Sequence, residues 1–163
     1  MIRLAFGYQS RVGKDEACTY LRKKIGGAII RFSQPLYDIV DISINELTPE
    51  KKGQKYPILL QSLGDYFRNW IGKDFFVNIV SNKIFKQNGN VFISDVRYEN
   101  EAEMLKSLGF TLVHIVRHGR EIDRNQNHSS ETELKDYRFD YEIVNDGSLE
   151  ELYRKLDFLV GKN

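Results

Sequence analysis

The sequence predicts an α/β fold in which short apolar strands alternate with amphipathic helices. The apolar run at residues 4–6 is followed, after a loop, by apolar residues at the spacing of one helix face. A second apolar run at residues 28–32 comes directly after Gly26 and Gly27, where that helix is expected to end. Further apolar runs at residues 91–95 and 111–116 continue the alternation of strand and helix. This order is typical of an open, parallel sheet.

Length and composition indicate one domain of ordinary size. The chain has 163 residues, of which 41% are hydrophobic, and its 24 basic and 23 acidic residues leave a net charge of +1. This balance argues against a surface built to bind nucleic acid or an anionic membrane. No apolar run approaches the ~20 residues of a membrane span, so we expect a cytoplasmic protein. Cys18 is the only cysteine and lies on the apolar helix face, where we expect a core residue and not a nucleophile.

The loop between the first strand and the first helix resembles a phosphate-binding loop. Gly13 and Lys14 occupy the last positions of the pattern G-x-x-x-x-G-K-[ST], and the backbone N–H groups of such a loop converge on an anion. Tyr8 stands at the first glycine position and Asp15 at the hydroxyl position, so the match is imperfect. The alternative is an ordinary turn between strand and helix in which Gly13 and Lys14 have no function.

The segment after the second strand is a candidate wall for a second substrate. Ser33 is placed to cap a helix with Pro35 in its first turn, and Leu36, Ile39 and Val40 follow at helical spacing. In open α/β sheets, ligands bind where the strands end. We therefore expect Ser33 to Leu36 to form a wall of the site for a second substrate.

The middle of the chain predicts two helices. Residues 48–57 form a polar connection or a short exposed helix, residues 58–71 carry a broad apolar stripe, and residues 75–85 form a further amphipathic helix. We expect Trp70, which lies in the stripe, to be a core residue.

The strand at residues 91–95 ends in Asp95, as the Walker B strand of a phosphate-binding-loop protein does. Such an aspartate holds Mg²⁺ directly or through water, because Mg²⁺ prefers hard oxygen ligands. The alternative is that Asp95 caps the helix that follows.

Arginines follow the next strand. Arg117, Arg120 and Arg124 come after residues 111–116 and form either a solvated loop or a lid that closes over phosphates. A polar stretch at residues 128–131 has too few metal-binding residue types nearby to form a metal site. The chain then predicts a last strand at residues 141–144, a turn at 145–147 and a terminal helix from Leu149.

Several of these motifs together resemble the bacteriophage-type deoxynucleoside monophosphate kinases. The motifs are Gly13-Lys14-Asp15, Phe32-Ser33-Gln34-Pro35-Leu36, Leu60-Gln61-Ser62-Leu63-Gly64 with Arg68, the run from Ile93 to Ala102, His128-Ser129-Ser130-Glu131, and Asn145-Asp146-Gly147-Ser148-Leu149. They cover nearly the whole chain, and the part around Asp95 and Arg97 is the most specific. Lysine followed by aspartate in the loop is typical of this family.

The resemblance implies a three-layer α/β/α kinase fold in a single domain, residues 1–163. An acceptor-binding helical region spans about residues 33–88, and a lid region spans about residues 117–140. The implied reaction transfers the γ-phosphoryl group of ATP to a deoxynucleoside 5′-monophosphate, with Mg²⁺ as cofactor, and supplies precursors for DNA synthesis. The implied partners are ATP and a deoxynucleoside monophosphate, without nucleic acid or membrane, and the implied location is the cytoplasm, that of the host for a viral protein. A homodimer stays open.

The resemblance also assigns roles residue by residue. The ATP phosphates would lie on Gly13, Lys14, Asp15, Glu16 and Ala17, and the adenine beside Asn145 and Gly147. The acceptor site would comprise Arg11, Ser33, Leu36, Gln61, Arg68, Asp95, Arg97, Ser130 and Glu131. Catalysis falls to Lys14, Arg97, Arg68 and Arg11, with Arg117, Arg120 and Arg124 as lid candidates and Asp15 and Asp95 as metal ligands.

Two other functions are compatible with the sequence. A dephospho-CoA kinase has a similar loop and a similar final Asn-Asp-Gly turn, but its acceptor is a hydroxyl group that needs a base. A non-enzymatic nucleotide-binding module is the other alternative. Loss of Lys14 or Asp95 would favour such a module, and both residues are present.

Overall fold

A computed structural model describes residues 1–47, 56–119 and 127–161. Within these ranges the strands form one parallel, five-stranded sheet in the order β2-β3-β1-β4-β5. The strands are β1 (Arg3–Gly7), β2 (Ala28–Ile30), β3 (Val91–Val96), β4 (Thr111–Val116) and β5 (Tyr141–Val144). The predicted α/β fold with a parallel sheet is therefore confirmed.

The helices of the described ranges follow the predicted alternation. They are α1 (Lys14–Ile25), α2 (Gln34–Leu47), α3 (Pro57–Trp70), α4 (Phe75–Phe85), α5 (Glu99–Ser107), α6 (Ser129–Thr132) and α7 (Leu149–Gly161). The short helix α6 is an addition to the prediction, which treated residues 128–131 as a polar stretch. The predicted connection at residues 48–57 lies, except for its last two residues, outside the described part of the chain.

Two apolar cores separate the sheet from its helices. On one face, side chains of β1 and β4 such as Phe6 and Ile115 pack with Leu21 of α1 and Leu156 of α7. On the other face, Ile93 packs with residues of α2, α4 and α5. The sheet therefore lies between two helical layers, and its central strands β1 and β3 are buried on both faces, as continuous apolar runs require, whereas the edge strand β5 is largely exposed.

The apolar stripe of α3 is less buried than predicted. Leu60, Leu63 and Phe67 pack against the core, but Trp70 is 76% exposed and Ile58 and Ile71 are exposed as well. The expectation that Trp70 is a core residue is wrong. Helical spacing identifies an apolar face, but it does not show how much of that face a neighbouring element covers.

The sheet order determines where the functional loops meet. β1 lies between β3 and β4, whereas the chain runs from β1 through α1 to β2 at one edge. The loops that follow β1, β2 and β3 therefore lie side by side at the carboxyl edge of the sheet, where α/β proteins bind ligands. None of the helices in the described ranges is long and apolar enough to span a membrane.

Candidate active site

The loop after β1 is held in place by the loop after β5. Gly13 has a φ of 103°, and a Cβ atom there would lie 2.6 Å from Nδ2 of Asn145. The same Nδ2 atom donates a hydrogen bond to the carbonyl oxygen of Val12 at 2.8 Å, and Asn145 is buried. Glycine at position 13 therefore leaves room for Asn145, which fixes the backbone of the loop from behind. This contact gives Asn145 a structural role that does not depend on adenine binding.

Lys14 lies at the first position of α1, near Arg97. Its side chain is only 7% exposed, and its Nζ donates to the carbonyl oxygen of Gln9. Burial, and secondly the charge of Arg97, lower the pKa of Lys14 to about 7, against smaller opposing effects of Glu131 and nearby aspartates. A cation that is disfavoured to this extent is stabilised by an incoming anion such as a phosphate.

A cavity of about 300 Å³ opens next to Lys14, between the loops at the carboxyl edge of the sheet and helix α3. Most of the predicted acceptor and catalytic residues line it. They are Arg11, Lys14, Asp15, Ser33, Leu36, Gln61, Arg68, Asp95, Arg97 and Ser130. Five basic side chains face three acidic ones in its wall, so the cavity suits an anionic ligand.

Arg68 is fixed from three sides. Its guanidinium lies 3.7 Å from the ring centre of Tyr98 and 4.6 Å from that of Phe76, and Nη2 lies 3.2 Å from Oε1 of Glu101. Burial raises the pKa of Glu101 to about 7, whereas the charge of Arg68 acts in the opposite direction. Glu101 also accepts a hydrogen bond from the backbone N–H of Arg97 at 2.9 Å. One buried carboxylate thus positions both arginines.

Arg97 connects β3 to helix α6 and to the phosphate-binding loop. Its Nη1 donates to the carbonyl oxygen of Ser130 at 3.1 Å and to the carboxylate of Glu131. The other oxygen of Glu131 accepts from the backbone N–H of Ser10 at 3.1 Å. The structure therefore places Glu131, which the resemblance assigns to the acceptor site, against Arg97 and the loop.

Asp95 organises the side of the cavity next to α2. Its Oδ1 accepts from the backbone N–H of Phe32 at 3.0 Å, and its Oδ2 accepts from the backbone N–H and the hydroxyl of Ser33 at 2.9 and 2.6 Å. These donors lie just before α2, so Asp95 supports the start of that helix and not of the helix after its own strand. The alternative that Asp95 caps the helix after its own strand is wrong, since the N-cap residue of α5 is Tyr98.

Asp15 lies in a small polar cluster with two residues that the sequence did not single out. Its Oδ1 accepts from Nη2 of Arg31 at 3.0 Å and from Oγ of Ser94 at 2.8 Å. Nε of Arg31 also donates to Oγ of Ser94 at 3.2 Å. Arg31 follows β2 and Ser94 belongs to β3, so their approach to Asp15 depends on the sheet order.

His128 connects helix α6 to helix α3. Its Nε2 lies 2.8 Å from the carboxylate of Asp65, and its Nδ1 lies 2.9 Å from Oγ of Ser130 and accepts from the backbone N–H of that residue. Nε2 of Gln61 donates to the same hydroxyl at 3.4 Å. The predicted residues Gln61 and Ser130 are thus in contact, and His128 orients the second of them.

The remaining predicted residues lie away from the cavity. Glu16 accepts a hydrogen bond from the hydroxyl of Tyr153, and Ala17 is buried in the core beneath α1. Gly147 lies against the side chain of Glu151 in the loop after β5. Arg117 is exposed after β4. Arg120 and Arg124 lie outside the described residues.

The sequence missed several residues of the cavity wall. They are Arg31, Tyr98, Glu101 and His128, of which the last three stand inside recognised motifs without an assigned role. Glu101 could have been noticed as an acid three residues after Tyr98, the spacing of a helix start. No local signal identifies Arg31, because its partners come from other strands and helices.

The fold and the cavity define an α/β protein with a cavity for an anionic ligand at the carboxyl edge of its parallel sheet. The chain superimposes on the APS kinase of Mycobacterium tuberculosis, solved in complex with AMPPNP and APS, with a TM-score of 0.51 over 98% of both chains at 9% identity. The likeness concerns the fold alone. The model of the deoxynucleotide monophosphate kinase family matches residues 51–156, and the chain belongs to that family.

Relatives occur in viruses and bacteriophages. The chain is 33% identical over 157 residues to the uncharacterized protein ORF77 of Ictalurid herpesvirus 1, an alignment that covers 90% of this chain and 64% of that protein. It is 34% identical over 104 residues to the deoxynucleotide monophosphate kinase of Escherichia phage RB69, covering 61% of this chain and 42% of the kinase. The chain spans less than two thirds of the length of the curated relatives it matches.

Proposed function

We propose that this chain transfers the γ-phosphoryl group of ATP to a deoxynucleoside 5′-monophosphate, giving ADP and a deoxynucleoside diphosphate. The observation that carries the proposal is a single cavity lined both by the phosphate-binding Lys14 and by Arg11, Arg68 and Arg97. Two phosphate groups that react with each other need positive charge on both sides and between them. Family membership and the name of the phage RB69 relative point to the same substrate class.

The cavity suits an acceptor that brings its own anionic oxygen. The second pKa of a phosphate monoester is about 6, so the acceptor is an effective nucleophile near neutral pH without a strong base. Asp95 is poorly placed to act as a base toward a hydroxyl acceptor, because both of its oxygens already accept hydrogen bonds from Phe32 and Ser33. This geometry favours a phosphate acceptor over the hydroxyl of dephospho-CoA.

Positioning and charge neutralisation then carry the reaction. Glu101 and Tyr98 hold the guanidinium of Arg68 rigidly, so Arg68 loses little conformational freedom when it binds the acceptor phosphate. Lys14 and Arg97 approach the transferring group, where negative charge spreads in the transition state. If Glu131 moved together with α6, the guanidinium of Arg97 would be able to contact phosphate. The arginines of the proposed lid, Arg117, Arg120 and Arg124, would complete this neutralisation and exclude water.

The residues around Asp15 fit a magnesium ion. Asp15 supplies a carboxylate directly after Lys14, and Ser94 supplies a hydroxyl oxygen beside it, both of them hard ligands. Among residues 1–47, 56–119 and 127–161, no group of three or more acidic, histidine or cysteine side chains is arranged to hold a metal. The ion would therefore take its other ligands from nucleotide phosphates and water, as Mg²⁺ commonly does. Asp95 would contribute through a water molecule, since its oxygens are occupied. When bound, Mg²⁺ neutralises charge on the ATP phosphates.

The viral and phage relatives support a role in supplying deoxynucleotides in the cytoplasm of a host cell. The proposed partners are ATP and one or more deoxynucleoside monophosphates. Size-exclusion chromatography with light scattering determines whether the chain forms a homodimer.

A ligand panel tests the proposed acceptor class. The melting temperature is measured with each deoxynucleoside monophosphate, each ribonucleoside monophosphate and dephospho-CoA, because a ligand that binds the native state stabilises it. ADP formation with ATP and Mg²⁺ is measured on the same panel. We expect stabilisation and ADP formation with at least one deoxynucleoside monophosphate. Loss of ATP at the same rate without any acceptor, or turnover only with dephospho-CoA, would contradict the proposal.

A further inference from the structure

Arg31 lines the cavity but has no part in the function described above. It follows β2 directly and shares the cavity wall with Ser33 and Leu36 on the acceptor side. Its partners among the described residues are Asp15, through Nε and Nη2, and Ser94, through Nε. An arginine at this position lies between the Ser33 side of the cavity and the carboxylate of Asp15.

The ion pair between Arg31 and Asp15 is weak enough for a contact between Arg31 and a phosphate to replace it. All of these contacts reach Asp15 through one oxygen, Oδ1, so the guanidinium does not use the two-pronged geometry that makes an arginine pair strong. The side chain of Asp15 is 74% exposed and that of Arg31 is 36% exposed. Exposed pairs of this kind contribute little to stability, and an arginine fork matches phosphate better than a single carboxylate oxygen.

In the proposed function, Asp15 is also the carboxylate beside which the cation on the donor phosphates would lie. A cation bound to the donor phosphates beside Asp15 takes over the neutralisation that Arg31 provides in its absence. Two cations on one carboxylate oxygen repel each other, so the guanidinium is then free to turn into the cavity.

We propose that Arg31 is an additional binding residue for the acceptor phosphate, which Asp15 holds back until the charge of the metal–ATP complex releases it. This inference rests on the proposed function, since it assumes a phosphate acceptor in the cavity. It predicts that donor and acceptor bind cooperatively and that the coupling passes through two residues. By linkage, the acceptor strengthens donor binding by the same factor.

Calorimetric titration of a deoxynucleoside monophosphate tests the proposal without any turnover. The acceptor is the one that the panel identifies, and it is titrated into the protein with EDTA and no ATP, and again with Mg²⁺ and a nonhydrolysable ATP analogue. The proteins are the wild type, Asp15→Asn, Arg31→Gln and the double variant. Arg22→Gln serves as the matched control, because Arg22 is an exposed arginine in the last turn of α1.

Without donor, Asp15→Asn should tighten acceptor binding by about threefold to fivefold, since it breaks an exposed ion pair and frees Arg31. Arg31→Gln should change this affinity by less than about twofold, and the double variant should lose the gain. With Mg²⁺ and the analogue, Arg31→Gln should weaken acceptor binding at least about tenfold, the effect of losing a charged hydrogen-bond donor to phosphate. Arg31→Lys should restore part of it, and Arg22→Gln should behave as the wild type.

Two results would overturn the inference. If the tighter acceptor binding of Asp15→Asn persisted in the double variant, the cause would be a general effect of charge and not Arg31. If Arg31→Gln bound the acceptor as the wild type does in the presence of the analogue, Arg31 would only hold Asp15 in place. Either result leaves saturable binding of the acceptor by the wild type intact. A wild type that binds no deoxynucleoside monophosphate at all would instead contradict the proposed function.

Discussion

We predict that Lys14 makes nucleotide binding sensitive to pH in a range where the triphosphate itself no longer titrates. In the free protein, burial and Arg97 lower the pKa of Lys14 to about 7. Bound phosphates favour the charged form and raise that pKa, so binding takes up a proton wherever free Lys14 is neutral. The charged form, and with it the affinity, predominates below pH 7 and is lost as the pH rises above that value.

The size of the effect follows from the titration of one group. With a pKa of about 7, the protonated fraction of Lys14 in the free protein is about one half at pH 7, one in eleven at pH 8 and one in a hundred at pH 9. If phosphates restore the pKa in the complex toward its ordinary value, affinity falls by a factor of about 10 between pH 8 and pH 9. The expected slope in this range is therefore about one decade per pH unit.

Calorimetric titration with a nonhydrolysable ATP analogue measures both the slope and the proton. Titrations at pH 8 in two buffers with different ionisation enthalpies give the number of protons taken up, which we expect to approach one. Lys14→Arg should flatten the profile, because arginine stays charged throughout this range. Lys23→Gln, at an exposed position of the same helix, should leave it unchanged. An affinity that is constant from pH 7 to pH 9, with no proton uptake, would refute the reasoning.

Three further changes have defined outcomes. Gly13→Ala should lower the free energy of unfolding by about 1–3 kcal/mol, measured by urea titration, because φ is 103° and the new Cβ meets Asn145; an unchanged midpoint contradicts this. Lys14→Met and Arg97→Met should each lower kcat by a factor on the order of 10² or more while the protein stays folded, and near-normal turnover would remove that residue from the catalytic set. Asp15→Asn should raise the Mg²⁺ concentration for half-maximal activity at saturating ATP; if only the melting temperature falls, Asp15 merely stabilises the start of α1.

Much of the fold follows from local patterns. Strands β3, β4 and β5 are short apolar runs bounded by turn signals, and their predicted positions agree with the structure to within a residue. Helix α4 is correct at both ends. Burial is harder to predict from the sequence, as Trp70 shows, because it depends on which neighbouring element covers a helix face. The short helix α6 is too brief to leave a periodic signal.

The sequence predicted the site only where a local motif identifies the chemical role of a residue. Lys14 at the start of α1 and Asp95 near the end of β3 stand in recognisable motifs, and the parallel sheet brings strand ends together. The partnership of Arg31 with Asp15 and that of Arg68 with Glu101 join residues from separate strands and helices. Such pairs follow from the strand order β2-β3-β1, which no local pattern specifies. The resemblance supplied Arg68 from the family pattern, but it could not supply the carboxylate that orients it.

The most direct test of the central claim follows the phosphoryl group itself. The protein is incubated with ATP labelled in its γ-phosphate, Mg²⁺ and the deoxynucleoside monophosphate selected by the panel, and the products are separated by ion-exchange chromatography. We predict that the label appears in the β-position of a deoxynucleoside diphosphate in equal amount to the ADP formed, and that Lys14→Met abolishes both. Label recovered as inorganic phosphate, with the monophosphate unchanged, would contradict the account.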